Sequence, residues 1–154
     1  MDDGPLAKLL SDPPRLRRAG RLLGDCGALL SGLAYLTLGS GLSALAYGLT
    51  WLALPVVAGL AGYGDAFFVQ HGVGIRRAVL ELIVGVLGLL VACVVLSLVD
   101  ADGGIVEQIA AVALAAALYF AAFRGLAAGV ALGLGRGLDY AGRRIDELDD
   151  EGWE

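Results

Sequence analysis

The sequence is poor in the residues that usually carry chemistry. Among 154 residues there are two cysteines, one methionine and one histidine, and only 18% of positions are charged. Two cysteines exclude a disulfide scaffold. His71 alone cannot build a zinc site, which needs three or four ligands. No CxxC, HExxH, GxSxG or GxxxxGK[ST] occurs, and no nucleophile with its base is legible. An enzyme is not expected, no cofactor or metal is assigned, and nucleic acid is not among the expected partners. What abounds is apolar: 58% of residues are hydrophobic, 24 are glycine, and the mean hydropathy is +0.76. An ordinary globular domain is about 45–50% apolar and about 25% charged. A soluble domain of this size leaves too much surface exposed to hide such a composition. Disorder is excluded by the same figures. The chain reads as an all-α, polytopic membrane protein and, by its length, as one domain.

The charges mark out the spans. From Cys26 to Gly64 there are 39 uncharged positions, enough for two helices of about 20 residues and too many for one. The spans are expected at about 27–45 and 48–66. Their turn is expected in or near Ala44–Gly48, with Gly39-Ser40-Gly41 as the alternative. Pro55 removes a backbone donor in the second span and predicts a kink. The third span, 78–99, is broken only by Glu81 and ends at the acidic turn Asp100-Ala101-Asp102-Gly103-Gly104. The fourth, 105–124, carries Glu107 and Gln108 at its outer end and closes at Arg124. Gly125–Gly135 is apolar but, at 11 residues, too short to cross a bilayer. It either prolongs the fourth helix or lies along the interface, within an extension over 125–144. All 11 basic residues then fall on one side, which the positive-inside rule assigns to the cytoplasm. The protein is expected in the cell membrane with both termini in the cytoplasm. The first apolar run is too long for a signal peptide and reads as a retained anchor.

Small residues suggest how the helices meet. Ala113, Ala117, Ala121, Gly125, Gly129, Gly133, Gly137 and Ala141 recur at a step of four. Such a face lets backbones approach closely in lipid, as in a glycine zipper. Its partner is another span or another copy. Gly59 with Gly62, and Gly85 with Gly88, form shorter patches. Gly59-Leu60-Ala61-Gly62 also echoes Gly125-Leu126-Ala127-Ala128, which hints at a duplicated two-span hairpin.

Ionisable groups at membrane depth are the natural candidates for a site. Asp65 can face Arg76 or Arg77, and Glu81 follows Arg77 by four residues and can pair with it. Glu107 reaches the outer surface, and Arg124 can snorkel to the inner headgroups. His71 in the inner loop is either solvated or proton-sensing. Cys26 and Cys93 are read as small apolar residues, too far apart to bridge. Residues 1–26 form a basic segment whose Arg15, Arg17, Arg18 and Arg21 can meet anionic headgroups, with Leu16, Leu22 and Leu23 suiting a short interfacial helix. The tail 145–154 holds six acids in ten residues and ends near Trp153. Such a tail is either a solvated end or a docking segment for a basic partner. Ten arginines against one lysine, with a pI near 4.7, suggest a high-GC genome and a halophile host.

Two Gly/Leu/Ala-rich hairpins, each running into an arginine-containing inner segment, resemble the four-span sensor domain of actinobacterial and haloarchaeal signalling proteins. Gly41-Leu42, Leu54-Pro55, Gly59-Leu60 and Arg124-Gly125-Leu126-Ala127-Ala128 carry the likeness, over roughly residues 27–144. It implies a signal-input module acting through a partner, with no catalytic residues; no kinase segment follows within these 154 residues. The other classes are an accessory subunit of a larger assembly (respiratory, transport or a halophilic virus envelope) and a small transporter or channel. A bilayer and a protein partner or second copy are the expected surroundings.

Overall fold

The computed structural model describes residues 12–72, 74–98 and 104–151. Lys8, the acidic residues Asp100 and Asp102, and Trp153 lie outside them. Helix accounts for 93% of what is described, in four elements: α1 (Pro13–Leu36), α2 (Gly41–Gln70), α3 (Ile75–Leu98) and α4 (Ile105–Glu151). Three of them, α2, α3 and α4, are long and apolar enough to cross a membrane. The described surface suits lipid, with leucines such as Leu29, Leu33, Leu52, Leu87 and Leu90 all more than half exposed.

α1 starts where its sequence says it can. The Asp12 side chain accepts from the Arg15 amide at 3.4 Å, and Pro13 and Pro14 occupy the first helical positions, where a missing N–H costs nothing. No breaker follows before residue 37, so the basic segment is not a separate interfacial helix; it is the first half of α1. Leu16, expected at the lipid surface, is 1% exposed inside the bundle, whereas Leu22 and Leu23 point outward.

The first turn falls at Thr37–Ser40, at the Gly39-Ser40-Gly41 triplet and not at Ala44–Gly48. Local hydroxyls decide it. Thr37 Oγ1 donates back to the Leu33 and Ala34 carbonyls, and Ser40 Oγ donates to the Thr37 carbonyl at 3.2 Å. These bonds compete with the helix ladder and end it. Beyond Ser40 nothing interrupts α2, which carries Pro55 on an exposed position. α2 ends at Gln70 with His71 as its cap, and Gly72 at φ 72° and Gly74 at φ 99° occupy left-handed positions that favour glycine. Gly125–Gly135 prolongs α4 without a break.

Helices consecutive in sequence run antiparallel and α2 runs parallel to α4, where Gly62 meets Ala127 and Gly135 meets Val69, so the N-terminus of α1, the α2–α3 turn and the far end of α4 share one end of the bundle. α4 is the centre: it packs on all three others, while α1 and α3 do not pack together and α3 meets α2 only sparingly. Tyr119 and Phe123 of α4 are almost wholly buried, with Ala28, Leu54, Ala58, Ala61 and Ala127 around them. Glycines on α1 make the room. A Cβ at Gly24 would strike the Phe123 ring, one at Gly27 would lie 2.5 Å from Tyr119 Oη, and one at Gly20 would lie 2.5 Å from the Ala61 amide nitrogen. Gly24→Ala is therefore expected to lower the thermal midpoint in detergent by several degrees, about 2–4 °C per kcal/mol, because the buried ring has nowhere to go.

Candidate functional site: a charged layer at one end of the bundle

The hairpin turn at Thr37–Ser40 sets the register of α1 on α2. It places Gly20 against Ala61 and Arg17 against Gly64, where a Cβ would lie 2.7 Å from Arg17 Cβ. Asp65 therefore faces Arg17 and Arg21 of α1. Arg17 Nε contacts Asp65 Oδ1 at 2.5 Å, and Arg21 Nη2 donates to Asp65 Oδ2 at 3.1 Å. The expected partners Arg76 and Arg77 are not the ones it meets. Arg76 is exposed, and Arg77 Nε donates to Glu81 Oε1 at 3.0 Å within α3. Arg21 also stands 3.9 Å from Glu81, so one guanidinium links the two carboxylates across α1, α2 and α3.

These five side chains surround a cavity of about 40 Å³ closed by Ala128 and Ala131 of α4, enough room for a water. Three arginines against two carboxylates leave the layer with one excess positive charge. Asp65 is 18% exposed and Arg17 and Arg21 are 24% and 22% exposed, so the pairs are largely shielded from water. Arg17 lies outside the uncharged stretch of α1 that begins at Cys26. Burial pulls its guanidinium below the ordinary value and Asp65 pushes the other way. Its ring-facing side rests 5.0 Å from the centre of Phe68. Arginine does not give up its proton at physiological pH, so the arginines of this layer do not shuttle protons.

The other sequence candidates separate. Arg124 of α4 lies one to two turns deeper, 3.8 Å from Asp25 of α1, with its guanidinium over Phe120 and Phe123 at 4.9 and 5.8 Å. Glu107 is exposed at the opposite end. Along the small-residue stripe, Gly125 is buried and Ala121 and Gly129 are half-buried, whereas Ala117, Gly133 and Gly137 are exposed. Gly125 meets Gly85 of α3: a Cβ at Gly85 would sit 2.7 Å from the Gly125 Cα. Cys26 and Cys93 are free and exposed. His71 is exposed, with Nδ1 2.7 Å from the Phe67 carbonyl. Among the described residues no three His, Cys, Asp or Glu side chains stand together as metal ligands do.

Two features lie beyond the sequence reading. Arg17 and Arg21, four apart on one face, are two of the five side chains of the charged layer, and Gly20, Gly24, Ala28 and Gly32 form a four-step stripe on α1 that is buried throughout. Both signals were present in the sequence, but only the correct turn shows what they face. Compared with known proteins, the chain matches no family model, no curated protein and no solved structure.

Proposed function

We propose that the protein is a non-enzymatic, four-span membrane module with both termini in the cytoplasm, acting as a sensor-like or regulatory element through α4. The observation that carries this reading is the unbroken 47-residue α4. At 1.5 Å per residue it is about 70 Å long, more than twice the roughly 30 Å of a hydrocarbon core. Beyond Gly135, which meets Val69, its Arg136, Gly137, Leu138, Tyr140 and Ala141 are exposed. One rigid helix thus joins the bundle centre to the basic side. A shift of α3 along its glycine contact would reach that end directly.

α1 supplies the fourth span in this reading. Arg21 and Asp25 lie just before its uncharged stretch, and each has a partner inside the bundle, on Asp65 and Arg124; paired charges are the kind that membranes accommodate. Leu29, Leu30, Leu33 and Leu36 face outward. The basic residues of the described segments gather at one end, which the positive-inside rule places in the cytoplasm. The likeness to the four-span sensor domain agrees with the same layout. An accessory subunit is the second reading, favoured by Gly133 and Gly137, where an added Cβ would meet nothing within 4 Å, as a surface awaiting another helix would.

The test has two arms. In a background with Cys26 and Cys93 replaced by serine, Ser40→Cys is expected to react with an impermeant maleimide on intact cells, and Arg76→Cys only after permeabilisation. Reaction of Arg76→Cys from outside overturns the topology. In mild detergent, the full chain is expected to bring down a soluble signalling protein that is lost on truncation after Gly137. A fixed stoichiometry with a large membrane complex that survives the truncation overturns the sensor-like reading in favour of the accessory one.

A further inference from the structure

On the face of α3 away from α2, the helix and α4 enclose an open trough of about 550 Å³. Its apolar wall is Leu80, Val84, Gly85, Gly88, Phe120 and Ala121, and its mouth carries Arg77, Glu81 and Arg124. We propose that this trough binds one anionic phospholipid, with the phosphate between Arg77 and Arg124 and an acyl chain along the glycine-floored wall. The inference rests on the membrane placement proposed above.

Charge complementarity selects the occupant. Arg77 is 64% exposed although it donates to Glu81, so part of its guanidinium remains free to meet an anion. Arg124 is held less well: among the described residues its one ion pair within 4 Å is with Asp25, at 3.8 Å, and its buried Nε has no hydrogen-bond partner there. Counted with the charged layer behind the mouth, four arginines (Arg17, Arg21, Arg77 and Arg124) face three carboxylates (Asp25, Asp65 and Glu81), which leaves one net positive charge for the phosphate. Depth fits as well. From Arg124 back to Ile105, α4 rises about 29 Å at 1.5 Å per residue, so Arg124 lies where the roughly 30 Å hydrocarbon core gives way to headgroups. The glycines at 85 and 88 leave no side chain to fill the wall below it. The second basic cleft, lined by Pro14, Arg17, Arg18, Arg21 and Phe68, lacks such an apolar wall, and Asp65 already engages two of its arginines.

The full chain purified in mild detergent is exchanged with phosphatidylglycerol or phosphatidylcholine of equal chain length, and bound lipid is counted by native mass spectrometry. Retention of one phosphatidylglycerol over phosphatidylcholine by about tenfold or more is expected, since each arginine near an anionic headgroup adds roughly fivefold. Arg124→Gln is expected to remove most of that preference. Val84→Trp fills the trough from a position 65% exposed, and is expected to lower retention with both arginines intact and helical content unchanged. Equal retention of the two lipids by the wild-type chain overturns the proposal, as does wild-type retention in Val84→Trp. Displacement by millimolar inorganic phosphate overturns the lipid assignment and leaves a soluble phosphate site. A failure of the cysteine labelling would instead fall on the membrane placement itself.

Discussion

Gly85→Leu is expected to separate α3 from α4. A Cβ at this position would lie 2.7 Å from both the Cα and the nitrogen of Gly125, and 2.9 Å from the Ala121 carbonyl oxygen. All three are backbone atoms, so no side-chain rotation relieves the clash. Overpacking a core costs about 1–3 kcal/mol when side chains can adjust; with two helix backbones in contact the upper end, about 3 kcal/mol, is expected. α3 has little else to hold it, because it packs on α4 and barely on α2. The measurement is cross-linking. An added Cβ at Gly88 lies 3.2 Å from Ala121 Cβ, close to disulfide spacing. Gly88→Cys with Ala121→Cys, in a background free of Cys26 and Cys93, should oxidise efficiently. Adding Gly85→Leu should reduce the yield about tenfold or more, as a shift of that free energy implies. Gly133→Leu, where nothing lies within 4 Å, should leave the yield unchanged. Equal loss in both would mean that the whole four-step stripe is a contact face, and would contradict the packing described here.

Asp65→Ala is expected to be the most damaging single change to the charged layer. It leaves Arg17 and Arg21 together without their shared carboxylate, at positions less than a quarter exposed. Removing one partner of a buried ion pair costs about 3–5 kcal/mol. Because this layer is partly open to solvent, about 3 kcal/mol is the appropriate figure, or roughly 6–12 °C in thermal midpoint for a chain of this length. Arg76→Ala, on an exposed position of the same end, should change stability by less than about 0.5 kcal/mol. A double-mutant cycle of Asp65→Ala with Arg17→Ala should show a coupling energy above about 0.5 kcal/mol. Additive losses would mean that the carboxylate acts without Arg17.

The sequence made the helical class, the three strongly apolar helices and the α2–α3 turn legible, because charge breaks and glycine turns are local. The first turn was harder. Ala44–Gly48 and Gly39–Gly41 sit in one uncharged tract, so hydropathy is blind to the choice, and the deciding signal is the pair of hydroxyls on Thr37 and Ser40. That error carries forward. A hairpin folded near Ala46 would set Asp65 opposite Gly27 instead of beside Arg17 and Arg21, so the charged layer could not be assembled from the sequence. The α4 stripe has a related cause. In an Ala/Gly/Leu background every helix face is apolar, so periodicity does not distinguish lipid from protein, and only Gly125, with Ala121 beside it, faces another glycine. The stripe on α1 was hidden by the charges around it, although Arg21 and Asp25 are the residues that anchor that helix.

The isolation of α3 bears on how such a chain is built. Synthesis runs from the N-terminus, so α1 and α2 can close their hairpin while the rest is still being made, with Arg17 and Arg21 of α1 already met by Asp65. α3 has no such companion: its only substantial neighbour is α4, which follows it. It must endure alone in lipid for that interval, and it is the most apolar of the three helices able to span. Composition along this chain thus keeps time as well as place: of the three helices able to span, the greatest affinity for lipid is given to the one whose only substantial partner is made after it.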